Sequence, residues 1–285
     1  MFPQSLKIYF QGRFQIHQAE SLSGGCINDC YRLNTTTGYF FIKINSASAY
    51  PGMFQAEADA LKLLKQTNTV SVPEVLETGT CGNLAYLLLE YIEPGIADLH
   101  TPAEMGRQLA LLHKQTADSF GLHYDNYIGS LPQRNTQLGS WAEFFVEMRL
   151  RPQTELALAK GLLGKADVED FESLYDKLDS IFPTEKPALL HGDLWSGNYL
   201  VGSAGKPWFI DPAIYYGHRE MDLAMTKLFG GFSSDFYNAY NETYPLQAWW
   251  LTRVDLCNLY PLLVHVNLFG GSYVGQLKDC LNKYI

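Results

Sequence analysis

The sequence predicts an α+β protein with a small β-rich N-terminal lobe and a larger helical C-terminal lobe. Up to residue 93, apolar runs rich in β-branched and aromatic residues flank one long helical pattern. After Pro94 the helical patterns dominate. We therefore expect an N-terminal lobe at residues 1–93 and a C-terminal lobe at 94–285, and a chain of 285 residues is long enough to give both a core.

Three stretches define the N-terminal lobe. "YFFIKIN" (39–45) is aromatic and β-branched, which predicts a strand. "MFQAEADALKLLKQT" (53–67) repeats its apolar residues at helical spacing between good helix formers. "LAYLLLEYIEPG" (84–95) predicts a buried strand that stops at Pro94 and Gly95.

The C-terminal lobe begins with three helical segments. The first covers 101–116, with Thr101 as N-cap and Pro102 at the first helical position. The second covers 139–163 and is interrupted near Pro152, and the third covers 167–182 with Asp167 as its cap. The short apolar runs "YLV" and "PWFI" predict a hairpin within 189–211, and the chain is helical again from Arg219.

Composition excludes several classes of protein. Hydrophobic residues make up 47% and charged residues 18%, which is wrong for a disordered chain. A net charge of −9 without a basic block argues against nucleic-acid or anionic-membrane partners. No apolar run is long enough to span a membrane, and the first residues lack the pattern of a signal peptide. Five cysteines without a paired spacing fit a reducing cytoplasm.

Lys43 lies between two isoleucines on the first clear strand, and Glu57 follows 14 residues later on the next helix. A strand lysine that meets phosphate oxygens and is held by a helix glutamate is a part of kinases. A lysine of an edge strand that faces water is the alternative. The adjacent Gly24 and Gly25, before this strand, would bring backbone amides close to a phosphate, although a plain hairpin turn is the better explanation of two glycines taken alone.

The segment "LLHGDLWSGNYLV" (189–201) carries polar residues that a turn does not need. Asp193 and Asn198 are five residues apart, and Asp211 ends the next apolar run. In phosphoryl transfer one Asp orients or deprotonates the attacking hydroxyl, while an Asn and a second Asp bind magnesium. The spacing matches the catalytic and metal loops of the protein-kinase-like fold. A polar turn around a buried His191 is the alternative. Asp222, in the following helix, is expected to accept hydrogen bonds from amides of the metal loop.

The sequence resembles the fructosamine kinase (ketosamine 3-kinase) family, a branch of the aminoglycoside-phosphotransferase-like kinases. The motifs that carry the resemblance are "GGCIND", "YFFIKIN", "MFQAEADALKLL", "FGLHYDNYIGSLPQRN", "WAEFFVEMRLRPQ", "HGDLWSGN", "DPAIYYGHREMDLAM" and "LYPLLVHVNLFGGSYVGQ". They extend over nearly the whole chain. The segment "TQLGS" (136–140) departs from the family, which usually has another aromatic residue there.

The resemblance implies ATP-dependent phosphorylation of the 3-hydroxyl of ketosamines, the sugar adducts of amines, which leads to deglycation. The substrates would be small ketosamines or glycated protein lysines, with ATP and Mg²⁺ as cofactors. In this assignment Asp193 is the catalytic base or orienter, and Asn198 and Asp211 bind Mg²⁺. The residues that would bind ATP are Lys43, its positioner Glu57, Gly24 and Gly25 over the phosphates, and the hinge residues Glu90 and Ile92 at the adenine.

Trp195 is the candidate platform for the sugar, because an indole face suits the C–H face of a sugar ring, although simple packing would also explain it. Two other functions stay open at this point. One is a different small-molecule kinase acting on choline, an aminoglycoside or a simple sugar. The other is a pseudokinase that serves as a binding module, against which the complete set of kinase residues argues.

Overall fold

The computed structural model describes residues 1–22 and 27–285. Two compact units form from segments that are not continuous in sequence. The first unit contains Met1–Thr101 and Tyr199–Asp211, and the second contains Pro102–Asn198 and Pro212–Ile285. The sequence did not predict that the segment 199–211 groups with the N-terminal residues. The division of roles between residues 1–93 and 94–285 stays a prediction.

The first unit is built on an antiparallel sheet. Among the described residues its five strands follow the order β1-β2-β3-β5-β4. The strands are β1 Ile16–Leu22, β2 Asp29–Thr35, β3 Gly38–Ser46, β4 Val75–Cys81 and β5 Leu84–Glu90. Two helices, α1 Gln4–Phe10 and α2 Met53–Gln66, belong to the same unit. The predicted strand at 39–45 and helix at 53–67 are confirmed as β3 and α2.

The sequence did not predict α1. Its Leu6 and Phe10 are fully buried, and the Phe10 ring meets that of Tyr86 on β5 edge-on at 5.2 Å. A seven-residue helix is too short to be stable alone, so this packing stabilises it. The predicted strand at 84–95 ends earlier, at Glu90. It runs antiparallel to β3, and Glu90 pairs with Phe40 near the beginning of β3, so few residues of β3 remain to pair with the chain beyond Glu90.

The second unit is mostly helical. Its helices are α3 Thr101–His113, which starts at the last residue of the first unit, α4 Trp141–Phe145, α5 Arg151–Ala159, α6 Lys165–Tyr175, α7 Leu178–Ile181, α8 Glu220–Leu228, α9 Ser234–Thr243, α10 Val254–Phe269 and α11 Val274–Leu281. Short pairs of strands connect them: β6 Asn126–Ile128 with β7 Leu131–Gln133, and β8 Ala188–Leu190 with β11 Tyr215–Gly217. The helical character after Arg219 is confirmed.

The first unit also contains a separate two-stranded hairpin, formed by β9 Tyr199–Val201 and β10 Pro207–Phe209. It confirms the hairpin that the sequence predicts within 189–211. The chain segment after β5 is fastened to it, because the Gly95 amide donates to the Val201 carbonyl at 2.8 Å. Short 3₁₀ turns occur at Ser203–Gly205, Trp250–Arg253 and Gly271–Tyr273.

The core of the second unit surrounds α10, which is buried along most of its length. Trp141 stacks on Phe145 at 5.2 Å in the same cluster. The interruption predicted near Pro152 takes the form of a π-helical turn, Val146–Leu150, between α4 and α5. In the part of the chain that the structure describes, no helix has the length and apolar character needed to cross a membrane.

Two predicted caps are wrong. At the start of α3, Asp98 accepts hydrogen bonds from the amides of His100 and Thr101, at 2.8 and 2.9 Å, so the capping carboxylate precedes the predicted N-cap Thr101. The helix predicted at 167–182 begins at Lys165. Asp167 is therefore its third residue, and its carboxylate reaches back to the Gly164 amide at 2.8 Å.

Candidate active site

Lys43 lies at the centre of the first unit's sheet, on β3 between β2 and β5. Its side chain is buried, and its ammonium contacts two carboxylates. Nζ lies 2.7 Å from Oε1 of Glu57 and 2.5 Å from Oδ1 of Asp211. The predicted pair of Lys43 and Glu57 is therefore present, and the alternative of a water-facing lysine is wrong.

Burial and the neighbouring charges together determine the protonation states of Lys43 and Glu57. Burial opposes the charged form of Lys43, but the carboxylates of Asp211 and Glu57 outweigh it and raise the lysine pKa. Burial also raises the pKa of Glu57, and the neighbouring ammonium offsets part of that rise. Lys43 is thus held as an ammonium at neutral pH, in a form that can meet phosphate oxygens.

Asp211 follows β10 and has a backbone φ of +54°, in the left-handed region. Aspartate tolerates this region better than most residues, but it remains an uncommon conformation that often marks functional positions. The turn directs the carboxylate to Lys43, 168 residues away in sequence. The sequence predicted Asp211 as a metal ligand and did not predict this direct contact.

In the second unit, Asp193 and Asn198 lie in the loop after β8 and are hydrogen-bonded to each other. The Asn198 side-chain nitrogen donates to the Asp193 carbonyl at 2.8 Å and to its carboxylate Oδ2 at 2.9 Å. Because the amide nitrogen is committed to Asp193, Asn198 would offer its side-chain oxygen to a cation. Asp193 and Asn198 therefore act as one structural element.

Glycine is required at position 192 of this loop. Its φ is +84°, and a Cβ there would lie 2.0 Å from the Ala213 carbonyl oxygen. The Ala213 amide also donates to the His191 carbonyl at 2.9 Å. Within the second unit, the backbone at 191–192 and at 213 therefore lies side by side, in contact too close for a side chain at position 192.

The carboxylate of Asp222, on α8, binds the backbone of the loop that carries Asp193. Its carboxylate accepts the backbone amide of His191 at 2.7 Å and that of Gly192 at 2.9 Å. The prediction that Asp222 bonds backbone amides is confirmed, but the amides belong to the loop of Asp193 and not to the metal loop. His191 itself is fully buried, and its Nδ1 accepts the Asp193 amide at 3.3 Å.

His113 supports Asp222, and sequence reasoning missed it. Its Nε2 lies 3.1 Å from Asp222 Oδ2, and its Nδ1 lies 2.8 Å from the Tyr240 hydroxyl. Burial would raise the pKa of Asp222, yet the hydrogen bond and charge of His113, with the loop amide, lower it. The 109 residues between His113 and Asp222 explain why no local pattern indicates the pair.

Trp195 lies in the same loop with about a third of its surface exposed. Its ring covers the backbone of Gly197, where a Cβ would lie 2.3 Å from the indole. Phe229 meets the indole edge-on at 6.1 Å, and His265 lies 5.0 Å from Phe229. His265 and Asp193 line one small cavity, so this aromatic surface adjoins the candidate catalytic carboxylate.

His265 is a second residue that the sequence analysis did not select. Its Nδ1 lies 2.7 Å from the Pro261 carbonyl, which makes Nδ1 the protonated nitrogen of a neutral ring. Burial lowers the pKa of His265, which favours that neutral form. Its remaining nitrogen, Nε2, is then an acceptor for a hydroxyl or an ammonium group.

The predicted hinge residues follow β5 in the first unit. The Glu90 amide donates to the Glu74 carbonyl at 2.9 Å and is therefore already used. Within residues 1–22 and 27–285, no protein acceptor receives the Ile92 amide. Adenine recognition at this segment would therefore involve the Ile92 amide and not that of Glu90. Gly24 and Gly25, predicted over the phosphates, lie outside the described residues.

The side chains predicted to bind magnesium offer only oxygen donors. Asp211 contributes a carboxylate and Asn198 an amide oxygen, the hard donors that Mg²⁺ prefers. The described residues contain no group of three or more His, Cys, Asp or Glu side chains that would hold a metal by itself.

Comparison with known proteins identifies the relatives of this chain. The family model for fructosamine kinase matches residues 3–285. The probable ketoamine kinase slr1563 of Synechocystis is 42% identical over 275 residues, which is 94% of this chain and 92% of that protein. The chloroplastic protein-ribulosamine 3-kinase of Arabidopsis thaliana is 39% identical, covering 95% of this chain and 83% of the relative.

Solved structures agree with this relationship. A crystal structure from Haemophilus somnus 129PT, assigned to the fructosamine-3-kinases, aligns with a TM-score of 0.89 at 34% identity, over 99% of this chain and 96% of that one. The aminoglycoside phosphotransferase APH(4)-Ia aligns with a TM-score of 0.67 at 13% identity, over 99% of each chain. The second likeness shows the fold alone, and it confirms the predicted kinase-like α+β class.

Proposed function

Because the chain belongs to the fructosamine kinase family, we propose that it transfers the γ-phosphoryl group of ATP to the 3-hydroxyl of a ketosamine. The observation that carries this proposal is the buried ammonium of Lys43 between Glu57 and Asp211. A buried cluster of ion pairs often contributes little net stability compared with apolar packing, whereas a phosphate-binding lysine must be held charged and oriented.

In the proposed mechanism Lys43 binds the α- and β-phosphate oxygens, and Glu57 fixes the position of its ammonium. The backbone at Glu90 and Ile92 receives adenine, with the Ile92 amide as donor. Gly24 and Gly25 would cover the phosphates. The contacts of Lys43 support the roles of Lys43 and Glu57, and the Ile92 amide, which has no acceptor among the described residues, supports the role of Ile92. The role of Gly24 and Gly25 stays a prediction.

We assign the magnesium ligands to Asn198 and Asp211, whose oxygen donors suit the ion. When bound, Mg²⁺ neutralises negative charge on the phosphate oxygens during transfer. Asp211 also contacts Lys43, so one carboxylate orients the ammonium that meets the same phosphates.

Asp193 is the proposed base. Its carboxylate accepts the proton of the 3-hydroxyl while the hydroxyl oxygen bonds to the γ-phosphorus and the bond to ADP breaks. Asn198 fixes the carboxylate through Oδ2, and Asp222 fixes the loop that carries it. The aromatic surface of Trp195 would receive the sugar ring, and Nε2 of His265 would accept a hydrogen bond from it.

The product has a built-in route to release its amine. Loss of a proton from C1, next to the C2 carbonyl, and of phosphate from C3 leaves an unsaturated imine that water hydrolyses. The enzyme therefore only has to transfer the phosphate to the 3-hydroxyl.

We propose both small ketosamines and glycated protein lysines as substrates, since the Arabidopsis relative is named for protein ribulosamines. The four cysteines that the structure describes are free thiols, which supports our assignment to the cytoplasm.

The decisive experiment measures ATP consumption with Mg²⁺ on fructosyl-lysine, ribulosyl-lysine and erythrulosyl-lysine, with choline and kanamycin as controls. We expect turnover of at least one ketosamine well above both controls. Turnover of choline or kanamycin alone would assign the chain to another small-molecule kinase activity. No turnover of any acceptor, together with retained nucleotide binding, would support the pseudokinase alternative.

A further inference from the structure

A cluster of charged and aromatic side chains holds Tyr91, the residue between the predicted hinge residues Glu90 and Ile92. The guanidinium carbon of Arg32, on β2, lies 5.6 Å from the centre of the Tyr91 ring and 5.3 Å from that of Tyr39 on β3. The two tyrosine rings lie 6.2 Å apart, so a single cation contacts both. Because the face of an aromatic ring attracts a cation, these contacts tie Tyr91 to β2 and β3.

The guanidinium of Arg32 is itself held from β1. Its Nη2 lies 2.8 Å from the carboxylate of Glu20, which is its partner in the register of β1 and β2. On its other side Arg32 pairs with Phe41, two residues before Lys43 on β3. Partners across a sheet share one face, and so do alternate residues along a strand. Arg32 therefore lies on the same face of the sheet as Lys43.

Hydrogen bonds fix the hinge segment on both sides of Ile92. The Glu90 amide donates to the Glu74 carbonyl at 2.9 Å, and the Glu90 carboxylate accepts the Glu74 amide at 3.1 Å. Further along, the Gly95 amide donates to the Val201 carbonyl at 2.8 Å. In the part of the chain that the structure describes, the Ile92 amide itself donates to no protein acceptor. The direction of this amide is thus set by the residues between the two anchors.

We propose that Arg32 is a positioning residue for adenine, because by holding Tyr91 it orients the neighbouring Ile92 amide toward the base. The peptide bond that carries this amide joins the two residues, so a turn of the tyrosine backbone turns the donor. Hydrogen bonds weaken steeply when the donor is misaligned. The inference rests on the proposed function, which takes the Ile92 amide as the adenine donor.

Kinetics with ATP and a ketosamine that the protein phosphorylates test this role. Arg32→Gln should raise the KM for ATP about fivefold, the equivalent of one exposed cation–π contact. Because Lys43 and Asp193 keep their contacts, kcat and the KM for the ketosamine should not change. Inhibition by AMP should weaken by the same factor, and inhibition by inorganic tripolyphosphate should stay the same. Equal weakening of both inhibitors would show that Arg32 attracts phosphate by its charge, and would overturn the positioning role.

Arg13→Gln is the matched control in the same unit. Arg13 also lies over two aromatic rings, those of Tyr9 and Phe10, at 5.2 and 5.5 Å, and it contacts the carboxylate of Glu77. None of these residues belongs to the hinge. The variant loses the same charge and the same kinds of contact, so its KM for ATP should match that of the parent. A similar rise in this control would mean that general weakening of the unit explains both variants, and would overturn the inference.

A double-mutant cycle tests whether Arg32 acts through Tyr91. Tyr91→Leu should raise the KM for ATP as Arg32→Gln does, and the double variant should be no worse than either single one. Effects that multiply would mean that Arg32 acts on the nucleotide independently of Tyr91, which contradicts the proposal. Tyr91→Phe keeps the ring and should stay within about twofold of the parent.

If no ketosamine is phosphorylated, calorimetric titration with AMP and with tripolyphosphate decides separately. Weaker AMP binding in Arg32→Gln, with parental binding of tripolyphosphate, would support the inference although the proposed function had failed. Unchanged AMP binding in Arg32→Gln, or a parent that binds no AMP, would overturn it. In an active enzyme, an unchanged KM for ATP in Arg32→Gln would overturn the inference and leave the proposed function intact.

Discussion

Removal of the Asp222 carboxylate tests whether α8 positions the catalytic loop. In Asp222→Ala the amide of His191, which is fully buried, and that of Gly192, which is partly buried, lose their acceptor. An unsatisfied buried donor costs about 1–3 kcal/mol and a partly buried one less, so the two together predict a loss of about 2–4 kcal/mol in the free energy of unfolding. His113 also loses its carboxylate partner. For a chain of this size we expect the main thermal transition to fall by at least about 4 °C.

Asp222→Asn is the conservative companion. It keeps one acceptor oxygen but brings a side-chain NH₂ group toward a backbone amide, so about half of the loss is expected. Both variants should lower kcat more than they raise the KM for ATP, because the loop they release carries Asp193. Scanning fluorimetry and steady-state kinetics measure the two effects.

Asp255→Asn is the matched control for loss of a carboxylate. Asp255 contacts Lys283 at the surface of the second unit, and such a pair contributes less than about 1 kcal/mol. An Asp222→Ala protein that melts within about 1 °C of the parent, with unchanged kcat, would refute the inference that Asp222 holds the loop.

Three further predictions concern the same residues. Asp193→Asn should retain nucleotide binding in a fluorescence titration but lose about 10²–10⁴-fold in kcat, the usual contribution of a general base, and near-parental turnover would contradict its role. Asp211→Ala should weaken Mg-ATP binding as well as turnover, since it removes both a proposed magnesium ligand and a partner of Lys43; unchanged binding in the same titration would count against the assignment. Because the fold lowers the pKa of Asp222, its carboxylate stabilises the protein fully above the unfolded value of about 3.9 and loses that contribution as the pH falls below it; urea unfolding against pH should show this acid dependence flattened in Asp222→Asn.

Local patterns were enough to predict β3, α2 and the contact between Lys43 and Glu57. The strand and helix are adjacent in sequence, and each shows a clear period, so the short connection leaves little freedom in their pairing. Helix α1 was missed because its stability comes from burying Leu6 and Phe10 against the sheet, which no seven-residue pattern reveals.

Contacts between distant segments could not be predicted in the same way. His113 bonds Asp222 across 109 residues, and Asp211 reaches Lys43 across 168. Sequence spacing named Asp211 as a functional residue, since its type and position suit a metal loop. It did not indicate that Asp211 contacts Lys43. That contact depends on residues 199–211 belonging to the same compact unit as residues 1–101.

The charges around Lys43 support the proposal that the nucleotide binds together with a magnesium ion. One ammonium faces two carboxylates, so the buried group carries one excess negative charge when Glu57 and Asp211 are both ionised. Burial raises the pKa of Glu57, and the nearby negative charge of Asp211 acts in the same direction. A bare nucleotide phosphate would add to that negative charge, whereas a divalent cation held by Asp211 would offset it. The charge of Asp211 therefore supports the proposal that the nucleotide binds as its magnesium complex.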